Sequence, residues 1–98
     1  MAKYILMWEM DTSKFPADPK EAMAMNMKML ETCKQILKEG VGRDWGCFLG
    51  GNNGYAIGEG DAADMAKATW QFAPYVRFEV QQVLSVDEVI DINKSMMP

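Results

Sequence analysis

The chain has 98 residues, a net charge of −4 and no histidine. This length suits one domain, over residues 1–98, and leaves no room for a second hydrophobic core. The ten basic residues are scattered, which argues against nucleic-acid binding because that depends on clustered Lys and Arg. Without histidine, Ser-His-Asp and Cys-His catalysis and a histidine-ligated haem are excluded.

Apolar residues make up 49% of the chain, including three Trp and ten Met. A small core cannot easily enclose that share, so we expect part of it to form a subunit interface or a ligand pocket. The longest unbroken apolar stretch, residues 4–8, is far shorter than the roughly 20 residues of a membrane span. A strand-like pattern starts within three residues of the N-terminus, so we expect no signal peptide and a cytoplasmic location.

The first half of the chain predicts a strand, a long helix and a second strand. Residues 3–10 are dense in apolar and aromatic side chains, as in a central strand. After a polar loop over residues 11–17, Asp18 and Pro19 are typical of a helix start, and Gly40 of its end. Residues 44–50 then read as a strand, and Asn53-Gly54 indicates a hairpin turn.

The second half predicts a strand over residues 55–59 and a helix that Asp61 caps and that runs to residue 73, where Pro74 stops it. Residues 75–83 alternate between apolar and polar side chains, as in a half-buried strand. Ser85 and Glu88 form a capping box for a short C-terminal helix that ends near Ser95.

This order, β-α-β-β-α-β with a terminal helix, predicts a ferredoxin-like α+β fold. Its four-stranded antiparallel sheet carries two crossover helices on one face and leaves the other face open. In one arrangement Ile5 and Met7 lie at the centre of the open face, with charged residues around them. The sequence does not decide which side of the first strand meets the helices, because that strand is apolar on both sides. Because two such faces can close each other about a two-fold axis, the sequence predicts a homodimer.

The opening KYILMWEM and closing YVRFEVQQVLSVDEVI, in this order of elements, resemble the dimeric α+β-barrel proteins over nearly the whole chain. The resemblance lies in architecture and spacing, and it is strongest to small members of uncharacterised function. The superfamily includes muconolactone isomerase-like enzymes, cofactor-free monooxygenases, stress-responsive proteins and haem-binding enzymes. It implies a homodimer, but it carries over no catalytic residue because no motif matches position by position.

Asn26 is the first candidate for a ligand contact, since it falls among apolar residues on the inner side of the first helix. A buried amide needs hydrogen-bond partners, which can be a ligand or a neighbouring strand. Trp8, Trp45 and Trp70 are candidate walls of an apolar pocket, the alternative being core or interface packing, and we retain Trp8 and Trp70 as pocket residues.

Glu9, Tyr55 and Arg77 form a second candidate group, at facing ends of neighbouring strands. A Glu–Arg pair beside a phenol can orient a carbonyl substrate or perform acid–base chemistry. The simpler interpretation is a cross-strand ion pair that stabilises the register.

Other polar and sulfur-bearing clusters have structural explanations. Asp61 and Asp64 suit a helix N-terminus better than a metal site with Glu59. Alternate methionines between residues 23 and 29 point in different directions on a helix, so they do not predict a copper site. Cys33 and Cys47 lack CxxC spacing and are interpreted as small apolar residues, with a reactive or redox thiol as the alternative.

The sequence thus favours a homodimeric protein that binds a small, partly apolar organic molecule without metal, nucleotide or other cofactor. A cofactor-independent isomerase or monooxygenase that uses Glu9, Tyr55 or Arg77 is the first alternative. A structural or assembly module without a ligand is the second.

Overall fold

The computed structural model describes residues 2–98. Four strands form one sheet: Ala2–Met10 (β1), Gly42–Cys47 (β2), Asn53–Gly60 (β3) and Val76–Val83 (β4). The three helices are Pro19–Glu39 (α1), Ala62–Trp70 (α2) and Val86–Met96 (α3), and a short 3-10 turn, Thr12–Lys14, precedes α1. The sequence order of the elements is the predicted one, and the α+β class with a four-stranded antiparallel sheet is confirmed.

The strands lie in the order β2-β3-β1-β4, and every neighbouring pair is antiparallel. In β1 the even-numbered side chains Leu6 and Trp8 are buried on the helix side, where Trp8 stands opposite Gly54 of β3 and Phe78 of β4. The odd-numbered side chains therefore point to the other face, which no element of the described chain covers. The structure thereby decides the face assignment of β1, which the sequence left open because this strand is apolar on both sides.

Helix starts follow the predicted caps. The Asp18 side chain accepts a hydrogen bond from the Lys20 amide at 3.3 Å and begins α1. Asp61 with Asp64, and Ser85 with Glu88, form reciprocal capping boxes at α2 and α3. These contacts satisfy backbone N–H groups that would otherwise lack partners in the first turn.

The predicted hairpin exists, but its turn lies earlier in the chain. Asn53 and Gly54 belong to β3, and the chain reverses at Gly51, whose φ of 95° falls in the left-handed region that favours glycine. Gly54 is needed inside the strand because a side chain there would collide with the Trp8 ring. Tertiary packing thus overrides the local turn signal.

Helix α2 and strand β2 also differ from their predicted bounds. α2 ends at Trp70, not at residue 73, because residues 71–75 form turns that bring Phe72 into the core beside Phe78. β2 begins at Gly42, two residues before its predicted start, and ends at Cys47, three residues before its predicted end.

The two crossover helices cover the sheet only in part. α1 packs mainly on β2 and α2 on β3, so that Val80 of β4 remains 43% exposed on the helix side. The buried apolar core of the described residues consists of Leu6, Trp8, Met65 and Phe72, and α1 contributes no buried residue. Helices and sheet are therefore separated by space that the chain itself does not fill.

Replacing Gly54 with alanine should destabilise the protein by about 1–3 kcal/mol, because overpacking against an aromatic ring forces the backbone or the ring to move. A Cβ atom at Gly54 would collide first with the carbonyl oxygen of Gly46 in the neighbouring strand, and it would also lie 2.5 Å from Cζ2 of Trp8. Gly50→Ala is the matched control, since no atom lies within 4 Å of its added Cβ. Urea denaturation of both variants tests this expectation, and equal midpoints would contradict it.

Candidate functional site

A cavity of about 410 Å³ lies between the sheet and the pair α1 and α2. Its floor includes Leu6 and Trp8 of β1 and Ala56 of β3, while α2 supplies Met65 and Thr69. One side of α1, from Asn26 to Leu37, forms the opposite wall. The lining is almost entirely apolar, so the cavity suits a molecule with a hydrocarbon or aromatic body.

The cavity exists because the helix-facing positions of β3 carry very small residues. These alternate positions are Gly54, Ala56, Gly58 and Gly60. Trp8 occupies the space above Gly54, and the sulfur of Met65 lies over Gly58, where an added Cβ would be only 2.8 Å away. The small side chain of Ala56, between these two, leaves room that neither α1 nor α2 fills.

A stacked pair of indoles forms one wall. The rings of Trp8 and Trp45 are nearly parallel, with centroids 5.3 Å apart and an interplanar angle of 8°. The Trp8 indole N–H donates to the carbonyl oxygen of Tyr55 at 3.3 Å, which holds the ring against β3. A rigid aromatic wall of this kind favours planar or apolar ligands.

Asn26 is half-buried in α1 and contributes to the cavity wall. Other α1 side chains bond outside the cavity, Thr32 to the Lys28 carbonyl and Gln35 to Glu39. Among residues 2–98, no group forms a hydrogen bond with the Asn26 amide. The amide can therefore donate to and accept from a bound molecule.

The remaining polar groups of the lining are already engaged or weakly polar. The carboxylate of Asp44 accepts hydrogen bonds from the Tyr55 hydroxyl and from the Trp45 amide, at 2.8 and 2.9 Å. The Thr69 hydroxyl donates to the Met65 carbonyl oxygen at 2.9 Å. Cys33 and Cys47 are both free thiols, and burial raises the pKa of Cys33. A raised pKa keeps that thiol protonated at neutral pH, which makes it a poor nucleophile and supports its interpretation as a small apolar residue.

Trp70 lies outside the cavity. Its side chain is 77% exposed on the outer side of α2, and it does not contribute to the lining. The structure therefore brings Asn26 and Trp8 together around one cavity and separates Trp70 from them. Trp45, a candidate wall that was not retained among the predicted pocket residues, takes the aromatic position beside Trp8.

Glu9, Tyr55 and Arg77 lie on the open face of the sheet, opposite the cavity. Arg77 and Glu9 form a cross-strand ion pair, with Nη2 and Oε1 3.2 Å apart, in full register between β4 and β1. The Tyr55 hydroxyl instead donates to Oδ2 of Asp44 at 2.8 Å. The three predicted residues thus share a face but form two separate pairs.

Sequence reasoning missed Asp44 because its position depends on a local irregularity. A register shift between Gly42 and Asp44 moves the Asp44 carboxylate onto the open face beside Tyr55. Gly46 leaves space for the Tyr55 ring, which lies across it. The alternating small residues of β3 were a second missed signal, and they were visible in the sequence as the pattern Gly-x-Ala-x-Gly-x-Gly.

Residues 2–98 contain no cluster of three His, Cys, Asp or Glu side chains able to hold a metal ion. Asp61 and Asp64 bond to each other's backbone at the start of α2, and this bonding lowers the pKa of Asp61. Within the same part of the chain, none of the helices is both long and apolar enough to cross a membrane. Comparison with protein-family models gave no match, and comparison with curated proteins gave none either.

The Asp44–Tyr55 pair predicts a specific titration behaviour. The hydrogen bond to the Asp44 side chain, with smaller effects of desolvation and the negative charge, raises the pKa of Tyr55 above its ordinary value of 10.0. We expect Asp44→Asn to lower that pKa toward the ordinary value, because the charged acceptor is lost. The Tyr55 bond stabilises the fold while the phenol is protonated, and this contribution disappears as the pH rises through the raised pKa.

Carbon-13 NMR of ring-labelled tyrosine resolves Tyr55 from Tyr4 and Tyr75 and measures its pKa directly. Asp91→Asn, in the exposed helix α3, is the control for a general change in charge. An unchanged Tyr55 pKa in Asp44→Asn would contradict the proposed cause.

Proposed function

We propose that this protein binds a small, partly apolar organic molecule in the cavity between sheet and helices, without a metal ion or a nucleotide. The observation that carries the proposal is an apolar cavity of about 410 Å³ with one unengaged polar side chain, the Asn26 amide. The volume falls in the range of small-molecule pockets, roughly 300–1,000 Å³.

The chemistry of the lining narrows the class of ligand. No Lys or Arg of the described chain lines the cavity, so phosphate groups would find no cationic partner there. The Trp8–Trp45 stack favours a planar or aliphatic body, and the amide favours one carbonyl, hydroxyl or amine group. The expected ligand is therefore uncharged and mostly apolar, with a polar group at one end.

We also infer that the protein is a ferredoxin-like member of the dimeric α+β-barrel superfamily and works as a homodimer. The β-α-β-β-α-β order and the antiparallel sheet with β1 and β3 at its centre support the fold assignment. Ile5, Met7 and Ile57 form an apolar centre on the open face, with the Glu9–Arg77 pair at its edge. This arrangement of apolar centre and polar rim is that of a subunit interface.

The enzyme alternative has less support from the geometry. Glu9, Tyr55 and Arg77 point away from the cavity, and each already has a partner in the same chain. A catalytic group must be within hydrogen-bond reach of the substrate proton that it transfers. Binding, and not turnover by these residues, is therefore the function that the arrangement favours.

Filling part of the cavity should weaken binding of an apolar probe. We expect wild-type protein to bind N-phenyl-1-naphthylamine, a neutral amine with an aromatic body, at one site per chain with increased dye fluorescence. Ala68→Leu adds three carbons to the lining and should weaken binding at least tenfold. Ala63→Leu, on the exposed side of the same helix, should leave the Kd within twofold.

The Asn26→Leu variant separates the contribution of the cavity's shape to binding from the contribution of the amide hydrogen bond. It should weaken binding of the amine about three- to tenfold, the value of one hydrogen bond, and leave binding of naphthalene unchanged or tighter. If the dye binds Ala68→Leu and wild type equally, the cavity is not its site and the proposal fails. Native mass spectrometry of gently purified protein would then identify any molecule that the chain carries.

A further inference from the structure

Helix α3 projects from the rest of the molecule. It begins only two residues after β4, packs against neither the sheet nor α1 or α2 in the described chain, and every one of its residues is exposed. The chain measures 64 × 24 × 22 Å as a result. Its radius of gyration is 16.4 Å, whereas a compact chain of this length has about 13 Å.

The projecting helix has one strongly apolar side. At 100° per residue, Val86, Val89, Ile90, Ile92 and Met96 fall within less than half of its circumference, and we call this side the α3 strip. Asn93 is the one polar residue on this side, between Val86 and Val89. The other side carries Asp87, Glu88, Asp91, Lys94 and Ser95. Residues of the α3 strip are 41–78% exposed, so the helix presents apolar surface that its own chain does not cover.

The total surface is too large for a chain that works alone. The accessible area is 7167 Å², while a compact monomer of 11.0 kDa exposes roughly 5,600 Å². The surplus of about 1,500 Å² per chain exceeds the roughly 800 Å² that each partner buries in an ordinary stable interface, and it is in the range of permanent homodimers.

Neither the charge of α3 nor the area of the open sheet face favours a membrane or another partner over a second copy of this chain as the covering surface. Three acids and one lysine on the polar side of α3 do not suit an anionic membrane surface, which attracts helices rich in Lys and Arg. The open sheet face spans only about 19 by 27 Å, near 500 Å², from the spacing of four strands and the length of eight residues. The area of the open sheet face alone is therefore smaller than the surplus of about 1,500 Å². The last residue of β4 on this face is Val83, and only two residues separate it from the start of α3.

We propose that α3 is an exchanged arm, which extends the homodimer interface by laying the α3 strip on a second copy of this chain. The arms of two copies would cross reciprocally, so each chain contributes its open sheet face and its terminal helix to the same interface. The inference rests on the homodimer proposed above, and it is independent of the cavity and its ligand.

The test compares two substitutions that add the same charge to the same helix. Ile90→Asp places a carboxylate on the α3 strip, and Ser95→Asp places one on the polar side. Sedimentation velocity of the full chain should show that Ile90→Asp raises the dimer dissociation constant at least tenfold, while Ser95→Asp changes it less than twofold. Both variants should keep the wild-type circular dichroism, since α3 lies outside the core.

A mixed-label sample shows which chain α3 contacts. In dimers of one isotope-labelled and one unlabelled copy, filtered NOE spectra should connect α3 methyl groups to protons of the other copy. NOEs from α3 only to its own chain would overturn the proposal, as would wild-type dimerisation by Ile90→Asp.

A further variant distinguishes a failure of the arm proposal from a failure of the homodimer proposal. Met7→Lys changes the open sheet face and should weaken the dimer whether or not α3 takes part. If Met7→Lys separates the copies and Ile90→Asp does not, the homodimer stands and the arm is wrong. If the wild-type protein is a monomer at all concentrations, both are wrong.

Discussion

The structure depends on how β3 meets the helices, because this central strand carries nothing larger than alanine on its helix side. Trp8 can lie flat only because Gly54 has no side chain, and Met65 can approach the sheet only over Gly58. Large side chains from β1 and α2 thus interlock with a strand that has none. Between them, above Ala56, the packing is incomplete and a cavity remains.

This packing has an energetic consequence for the whole chain. A core of four buried apolar side chains is small for residues 2–98, because stability is the narrow difference between burial and conformational entropy. Much of the apolar surface that could add to stability lies instead on the open sheet face, around the cavity and on α3. Ligand binding and association with a second copy would each stabilise the folded state by mass action.

The two faces of the sheet keep the proposed ligand site apart from the proposed subunit interface. Even-numbered residues of β1 point to the cavity and odd-numbered residues to the open face, so one strand serves both surfaces. The Glu9–Arg77 pair is exposed and is expected to contribute little to stability, within about 1 kcal/mol, though it favours the observed register. Changes on one face can therefore be tested with little effect on the other.

Local signals in the sequence determined the elements and most of their ends. Asp18, Asp61 and Ser85 begin helices because their side chains accept backbone hydrogen bonds, an interaction that spans two or three residues and needs no tertiary context. The sequence left the face assignment of β1 open, because that strand is apolar on both sides, whereas the inner side of α1 followed from its helical periodicity. Such features depend only on nearest neighbours along the chain.

Tertiary structure decided what depends on distant residues meeting. It moved the hairpin turn from Asn53-Gly54 to Gly51, since Gly54 has to lie beneath Trp8, 46 positions away in the chain. It paired Tyr55 with Asp44 through a shift in strand register, and it left Trp70 outside the cavity because α2 presents Met65 and Thr69 inward. It also left α3 projecting from the part of the chain that the structure describes. No helical periodicity can reveal this, since an amphipathic pattern shows that a helix needs an apolar surface but not which chain supplies it.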